Sequence, residues 1–387
     1  MKIMRAYKFC LQPSSEQLQQ FAQTAGCVRL VWNKALALEK ERLDQKLARM
    51  KFAGLCRELT RWKQREETCF LKLVHSQPLQ QVCKDLDRAL TDGLKKEKGF
   101  PRFKKKGIHD SFRYPQGFKV KEEKIFLPKL GWVKFRKSQE IEGIIKNVTI
   151  SKRAGHWYAS VQVEAEIAAP THPKAGVEVG IDMGVVQFAT LSDGQVVAPH
   201  GAYKKYQGKL IKAQRKIARQ EKGSKNRGKQ ICKVQRIHKK ISDIRLDYLH
   251  KTSTWIAKNH SKVMLEDLKV ASMSRSAKGT VENPGKNVSA KSGLNKSILD
   301  QGWFEFKRQL IYKLQWLGGE VVLVNPRYTS QRCHACGASN RKNRKSQARF
   351  ECVSCGHYDH ADHNAALNIL AAGHAVSACG NISSIAS

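Results

Sequence analysis

The sequence predicts a multi-domain α+β protein. A small β-barrel carries a helical lobe inserted after its first strand, and an α/β domain follows, interrupted by a metal-held module. Three observations predict this. Residues 3–12 alternate as a strand, helical spacing then runs to about residue 96, and short β-type runs resume at 111. Further on, two buried-type strands, Val177–Asp182 and Val263–Glu266, each end in an acid and are separated by a long helical stretch. Finally, Cys333-His-Ala-Cys336 and Cys352-Val-Ser-Cys355 stand fifteen residues apart, the spacing of a zinc ribbon.

In the first half, Pro13-Ser14-Ser15-Glu16-Gln17 starts a helix, with Ser14 as N-cap and Gln17 three residues on as its capping-box partner. Leu18, Phe21, Ala22, Ala25, Val28 and Leu36 recur near helical spacing, and the pattern resumes over 55–96. This lobe, residues 13–110, closes on a basic stretch interleaved with aromatics, Lys95 to Lys106. The runs Ser111–Tyr114, Lys124–Leu127, Trp132–Phe135, Lys146–Ile150 and Trp157–Glu164 then complete the barrel, which takes residues 1–12 and 111–170. Residues 168–173, Ala-Ala-Pro-Thr-His-Pro, read as a linker.

In the second half, a turn at Met183-Gly184 and two further strands follow Asp182, and residues 203–259 are helical and densely basic. Residues 272–297, rich in Ser, Gly, Lys and Asn, read as a mobile loop. Asp300 reads as the cap of a helix whose apolar side is Trp303, Phe306, Leu310, Leu314 and Leu317. Strand Val321–Val324 leads into the ribbon, residues 327–356. The α/β domain therefore takes residues 174–326 and 357–373, leaving 374–387 as a disordered tail.

Lys and Arg total 71 against 33 Asp and Glu, a formal charge of +38. Such an excess makes the folded chain repel itself unless a polyanion neutralises it, so nucleic acid is the expected partner. No apolar run reaches the roughly 18 residues of a spanning helix, which excludes a membrane protein of that kind. The first residues lack the apolar core of a signal peptide, which predicts a protein that stays in the cytosol. Of eleven cysteines, four belong to the metal-type pattern, and the other seven (10, 27, 56, 69, 83, 232 and 379) show no regular spacing. In a reducing compartment those seven are buried or idle thiols.

Three carboxylates stand out by context: Asp182 and Glu266 at strand ends and Asp362 at the start of an apolar helical run. Each alone could be a turn or cap residue. In that order, in so basic a chain, they match two-metal phosphodiester cleavage, in which acids on adjacent strands and a packed helix hold two divalent ions. Side chains alternate along a strand, so Glu266 and its neighbour Asp267 cannot both face the site; Glu266 is the choice and Asp267 the lesser candidate. Hard carboxylate oxygens select Mg2+ or Mn2+, whereas the thiolates of Cys333, Cys336, Cys352 and Cys355 select one structural Zn2+. A redox role for the CxxC pairs is the competing reading, and a redox pair has no need of a twin at ribbon spacing. Gly337 and Gly356 fit the positive φ of knuckle turns. With four thiols present, His334 reads as a surface residue.

These residues resemble the TnpB (OrfB) family encoded by insertion sequences, relatives of type V CRISPR effectors. The match runs through the opening strand and Gly26–Leu36, Gly99-Phe-Pro-Arg-Phe-Lys104, Leu127-Pro-Lys-Leu-Gly131, Gly180-Ile-Asp-Met-Gly184, Arg245-Leu-Asp247 with His250-Lys251, and Leu265-Glu-Asp-Leu268. Tyr328-Thr-Ser-Gln331 and Asp362-His-Asn-Ala-Ala366 complete it. The resemblance implies a wedge-type barrel, a helical recognition lobe, and a RuvC-type, RNase H-like nuclease domain whose metal-binding triad is Asp182, Glu266 and Asp362. It makes the Cys quartet the zinc ribbon of a target-nucleic-acid-binding module. It further implies an RNA-guided DNA endonuclease: a guide RNA from the transposon end pairs with one strand of double-stranded DNA beside a short adjacent motif. Phe52, Ser76, Gln77, Gln80 and Gln81 lie in the stretch that reads the adjacent motif, where a Gln can bond bidentately to adenine. Arg102 and Lys104 belong with them as nucleic-acid contacts. Nothing in the sequence demands a dimer, so one protein per RNA is expected. Two rivals stand beside this reading: a nucleic-acid-binding regulator or transposition accessory factor without cleavage, and a DNA transposase of the same fold. The first gains nothing from carboxylates facing phosphate, and against the second, no terminal-inverted-repeat-binding helix-turn-helix stands apart at the N-terminus of this sequence.

Overall fold

A computed structural model describes residues 2–108, 110–167 and 170–378. Residues 379–387, most of the expected tail, lie outside the described residues, as do Cys379 and the linker residues 168 and 169. The chain divides into two compact units, Met1–Ala168 and Ala169–Ser387.

The first unit is built on β1 (Lys2–Gln12), β2 (Ser111–Tyr114), β3 (Lys119–Lys121), β4 (Lys124–Leu127), β5 (Gly131–Arg136), β6 (Ile144–Arg153) and β7 (His156–Glu166). They form one antiparallel sheet in the order β2-β6-β7-β1-β5-β4-β3. Strand β1 pairs with β7 over Lys2–Cys10 and with β5 at Cys10–Gln12, so its two ends share different neighbours and the sheet curls. In this order β2 and β3 stand as opposite edges. Strand β3 escapes a pattern reading because its sequence, Lys-Val-Lys, holds one apolar residue.

Between β1 and β2 run α1 (Ser15–Asp44), α2 (Phe52–Gln64), a 3-10 segment (Glu66–Leu73) and α3 (Ser76–Leu94). Ser14 caps α1 in a full capping box with Gln17. The Gln17 amide also donates to the carbonyls of Leu130 (3.2 Å) and Trp132 (3.0 Å), tying the helix start to the sheet. Phe21 of α1 meets the rings of Phe112 (5.9 Å) and Trp157 (5.2 Å) edge-on, so helices and sheet share one core.

The second unit holds β8 (Glu178–Asp182), β9 (Ala189–Leu191), β10 (Val196–Val197), α4 (Ala202–Ala218), α5 (Lys225–Asn259), β11 (Lys262–Glu266) and α6 (Val270–Met273). Then come α7 (Val288–Gln301), α8 (Trp303–Leu317), β12 (Glu320–Val324), β13 (Arg349–Glu351), β14 (Tyr358–His360) and α9 (Ala361–Ala378). The main sheet is ordered β10-β9-β8-β11-β12, with β8, β11 and β12 parallel and β9 and β10 added antiparallel. Val263 and Leu265 of β11 pack into the core of α5 and α8, whereas Met264 packs with Ile369 of α9. Since side chains alternate, α9 covers the face opposite α5 and α8.

Three expectations need correction. Residues 288–297 are helical, not loop, because α7 begins at Val288; only Ile298 and Gln301 of that helix are buried, too few to give a periodic signal. Asp300 does not cap α8: Gly302, in the left-handed region at φ 74°, is the N-cap. Asp300 instead accepts from Arg245 Nη2 (2.6 Å) and from the Tyr203 backbone N–H (3.0 Å) in the first turn of α4. Residues 374–378 of the expected tail continue α9, and His374 bonds Glu178.

Candidate active site

Register brings the two strand acids together. Strand β11 pairs with β8 at Met264↔Gly180, so Glu266 and Asp182 lie two residues further along adjacent parallel strands, on the face that α9 covers. Helix α9 approaches that face closely because position 180 is glycine: a Cβ there would stand 2.2 Å from the Ala366 carbonyl oxygen. Asp362, in the first turn of α9, is thereby carried to the ends of β8 and β11.

The electrostatics reflect this convergence. Burial, then the charges of Glu266 and Asp362, push the Asp182 carboxyl up to about 7, partly countered by Arg344 and the Met183 N–H. Burial also raises Glu266, opposed by the Thr329 hydroxyl, which donates to Glu266 Oε1 at 2.6 Å. Arg344 Nη2 pairs with Asp362 Oδ1 at 3.0 Å. Asp267 is exposed and bonded to Lys307 at 2.9 Å, away from this group. The charges of Glu266 and Asp362 both act on Asp182, so the three carboxylates share one electrostatic environment. Three carboxylates of hard oxygen donors set against one guanidinium leave the site short of positive charge, which fits hard divalent cations.

The sequence alone gave no role to the groups that hold this arrangement. Thr329 orients Glu266, and Arg344 comes from the ribbon to neutralise Asp362. Buried Asn368 donates to the carbonyls of Thr329 (2.9 Å) and Arg332 (2.7 Å), and Asn364 to Arg332 (2.8 Å), fastening the ribbon's entry to α9. Asparagines four residues apart on one helix face were the available signal.

In the ribbon, Cys333 Sγ lies 3.8 Å from Cys355 Sγ and Cys336 Sγ 3.6 Å from Cys352 Sγ, and the whole quartet falls within 4.8 Å. A tetrahedron with Zn–S bonds of about 2.3 Å has edges of about 3.8 Å, so the sulfurs fit a single metal ion. Backbone N–H groups of Cys355 and Ser354 lower the Cys352 thiol, while burial raises Cys333 and the neighbouring thiols raise Cys355. Gly337 and Gly356 take φ of 76° and 73°.

The residues expected to touch nucleic acid fall in the first unit. Phe52 is partly exposed at the start of α2, with its N–H bonded to Asp87 Oδ2 at 3.1 Å. Ser76, Gln77, Gln80 and Gln81 occupy the first turns of α3. Lys63 donates to Ser76 Oγ at 2.9 Å, Gln77 Oε1 is buried without a hydrogen-bond partner, Gln80 is exposed, and Gln81 donates to Asp85 at 2.8 Å. Arg102 is exposed, its carbonyl accepting from Trp32 Nε1 at 3.0 Å. Lys104 is half-buried with its ammonium 3.8 Å from the centroid of the Trp32 ring, a cation–π contact within the unit.

Over 384 residues the chain is 50% identical to the Escherichia coli (strain K12) protein described as "Putative RNA-guided DNA endonuclease InsQ", covering 99% of this chain and 95% of that one. The chain belongs to the TnpB (OrfB) family. A Streptomyces pristinaespiralis relative, also described as an RNA-guided DNA endonuclease, is 35% identical over 98% of this chain and 92% of its own length. Family models match in three places: a probable transposase over residues 158–277, a Cas12f1-like TNB domain over 303–369, and a helix-turn-helix domain over 1–47. In this TnpB-family chain the described part of 1–47 is one strand and one 30-residue helix. The solved Cas12f1-sgRNA-target DNA complex has the same fold, at a TM-score of 0.55 and 14% identity over 95% of this chain and 98% of that chain.

Proposed function

We propose that the protein is an RNA-guided DNA endonuclease that cuts double-stranded DNA beside a short target-adjacent motif. The observation that carries this reading is the convergence of Asp182, Glu266 and Asp362 on one face of a sheet in a chain of charge +38. A nucleic-acid binder without cleavage would suffer from three acids turned toward phosphate. Relatives described as RNA-guided endonucleases over nearly the full length support the same choice.

In this reading the RuvC-like domain comprises residues 174–326 and 357–373, with the ribbon, 327–356, as the target-nucleic-acid-binding insert. The wedge-type barrel, 1–12 and 111–170, carries the recognition lobe, 13–110. Asp182, Glu266 and Asp362 would hold two Mg2+ or Mn2+ ions. Bound there, such ions supply an activated water and charge neutralisation at the leaving oxygen. Asp182 must give up its proton for that role, and Thr329 keeps the Glu266 carboxylate turned inward. Arg344 holds positive charge beside Asp362, where a phosphate oxygen would sit. Cys333, Cys336, Cys352 and Cys355 would hold one Zn2+, fixing the loop that delivers Arg344. The guide RNA comes from the transposon end, one protein serves each RNA, and the complex works in the prokaryotic cytosol. No helix among the described residues is long and apolar enough to cross a membrane.

Purifying the protein from its native cells and sequencing the RNA bound to it tests the guided part. A single structured RNA species at near one-to-one ratio is expected. Full cleavage by RNA-free protein would overturn the guide and leave the nuclease.

A further inference from the structure

Next to the thiolate quartet is a second group of metal-type donors. The donor atoms of His334, His357 and Asp359 lie within 4.8 Å of one another. His334 is the second residue of one knuckle, directly after Cys333, and His357 and Asp359 follow the other knuckle. The two imidazoles meet edge-on with centroids 4.5 Å apart.

Each donor is prepared for a cation in a different way. His334 Nδ1 lies 3.2 Å from Asn364 Oδ1, an acceptor that fixes the proton on Nδ1 and leaves the Nε2 lone pair free. His357 Nε2 is shielded from solvent and has no hydrogen-bond partner, a cost that a metal bond would remove. Asp359 is held by His363 Nδ1, at 3.1 Å from Oδ1 and 2.9 Å from Oδ2, and by the His360 N–H at Oδ1, outer contacts of the kind that orient a ligating carboxylate. Of the three, Asp359 also lines a cleft of about 310 Å³, together with His360 and His363. Nothing in the Cys quartet uses these three side chains.

We propose that His334, His357 and Asp359 form a second metal site, for a divalent transition-metal ion of the zinc type with water completing its shell. Two imidazoles and one carboxylate favour such an ion over Mg2+, which takes oxygen ligands. The ion would join both knuckles to β14, whose last residue precedes α9 and the Asp362 turn. Occupancy would therefore set how firmly the ribbon is seated on the helix that carries Asp362. This site does not depend on the nuclease reading.

The test uses full-length Asp182→Asn protein loaded with one equivalent of Zn2+, in excess Mg2+, titrated with Co2+. The substitution and the Mg2+ keep cobalt out of the carboxylate group, and zinc keeps it out of the thiolates. One equivalent of Co2+ is expected, with d–d absorption, no thiolate charge-transfer band, and paramagnetic shifts of the His334 and His357 ring protons. His357→Asn and Asp359→Asn should each weaken it by roughly tenfold or more while retaining the zinc equivalent. Absence of the second equivalent, or its binding with neither histidine shifted, would overturn the site, and the shifts are read with all three ligands in place. Unchanged affinity in both variants would overturn it equally.

Discussion

In the metal-free protein, Asp182→Asn should make the second unit more stable, by an amount that grows with pH. Asp182 titrates near 7 in the folded chain against 3.8 for the ordinary group. Because the folded state holds the proton more tightly, stability is lost as pH rises from about 4 to about 7 and is constant above that. Three pH units correspond to about 4 kcal/mol as a ceiling. The carboxylate is only partly buried at a strand end, so water access reduces this to about 2 kcal/mol. Asparagine keeps the shape and cannot ionise, so it should recover that amount at pH 8 and less of it at pH 5. For a unit of this size the gain is about 4–8 °C in midpoint. Thermal unfolding without Mg2+ but with zinc retained, wild type against variant at both pH values, measures it. Added Mg2+ should then stabilise wild type and not the variant. A lower midpoint for Asp182→Asn at pH 8, or a shift independent of pH, would refute the claim that three carboxylates share this space.

Other changes probe the same arrangement from its supports. Arg344→Ala removes the cation paired with Asp362, so Mg2+ should bind about threefold or more tightly by Coulomb attraction alone, as read from Mg2+-dependent thermal shifts; weaker binding would contradict it. Gly180→Ala places a methyl 2.2 Å from the Ala366 carbonyl and should cost about 2–3 kcal/mol and most cleavage activity, measured by denaturant unfolding and DNA cutting. Replacing Cys333 and Cys336 by Ser should remove one equivalent of metal by elemental analysis and unfold the ribbon, since metal affinity there is largely folding energy.

How far the sequence disclosed this molecule depended on the kind of signal. Ser14 and Gln17 form the capping box their spacing announces, because a cap is decided by four consecutive residues. Glu266 rather than Asp267 turns toward Asp182, because alternation along a strand leaves no other choice. Helix α7 leaves little trace in the sequence, since only Ile298 and Gln301 are buried and a pattern needs an apolar stripe. An acid before a helix has the look of a cap, yet here Gly302 takes that position and Asp300 serves α4 from a distance. Lys104, expected at nucleic acid, has its ammonium over Trp32, a partner some seventy residues away in the chain that no local pattern announces. Arg344 carried no signal at all. Its pairing with Asp362 exists only once the ribbon has folded back onto α9.

The account rests most directly on metal-dependent cutting by the RNA-loaded protein. Plasmid carrying a guide-complementary sequence beside a library of adjacent motifs should be linearised by wild type in Mg2+. Asp182→Ala, loaded with the same RNA, should bind that plasmid and leave it closed. Linear product at the wild-type rate from the variant would show that these three carboxylates are not the cutting site.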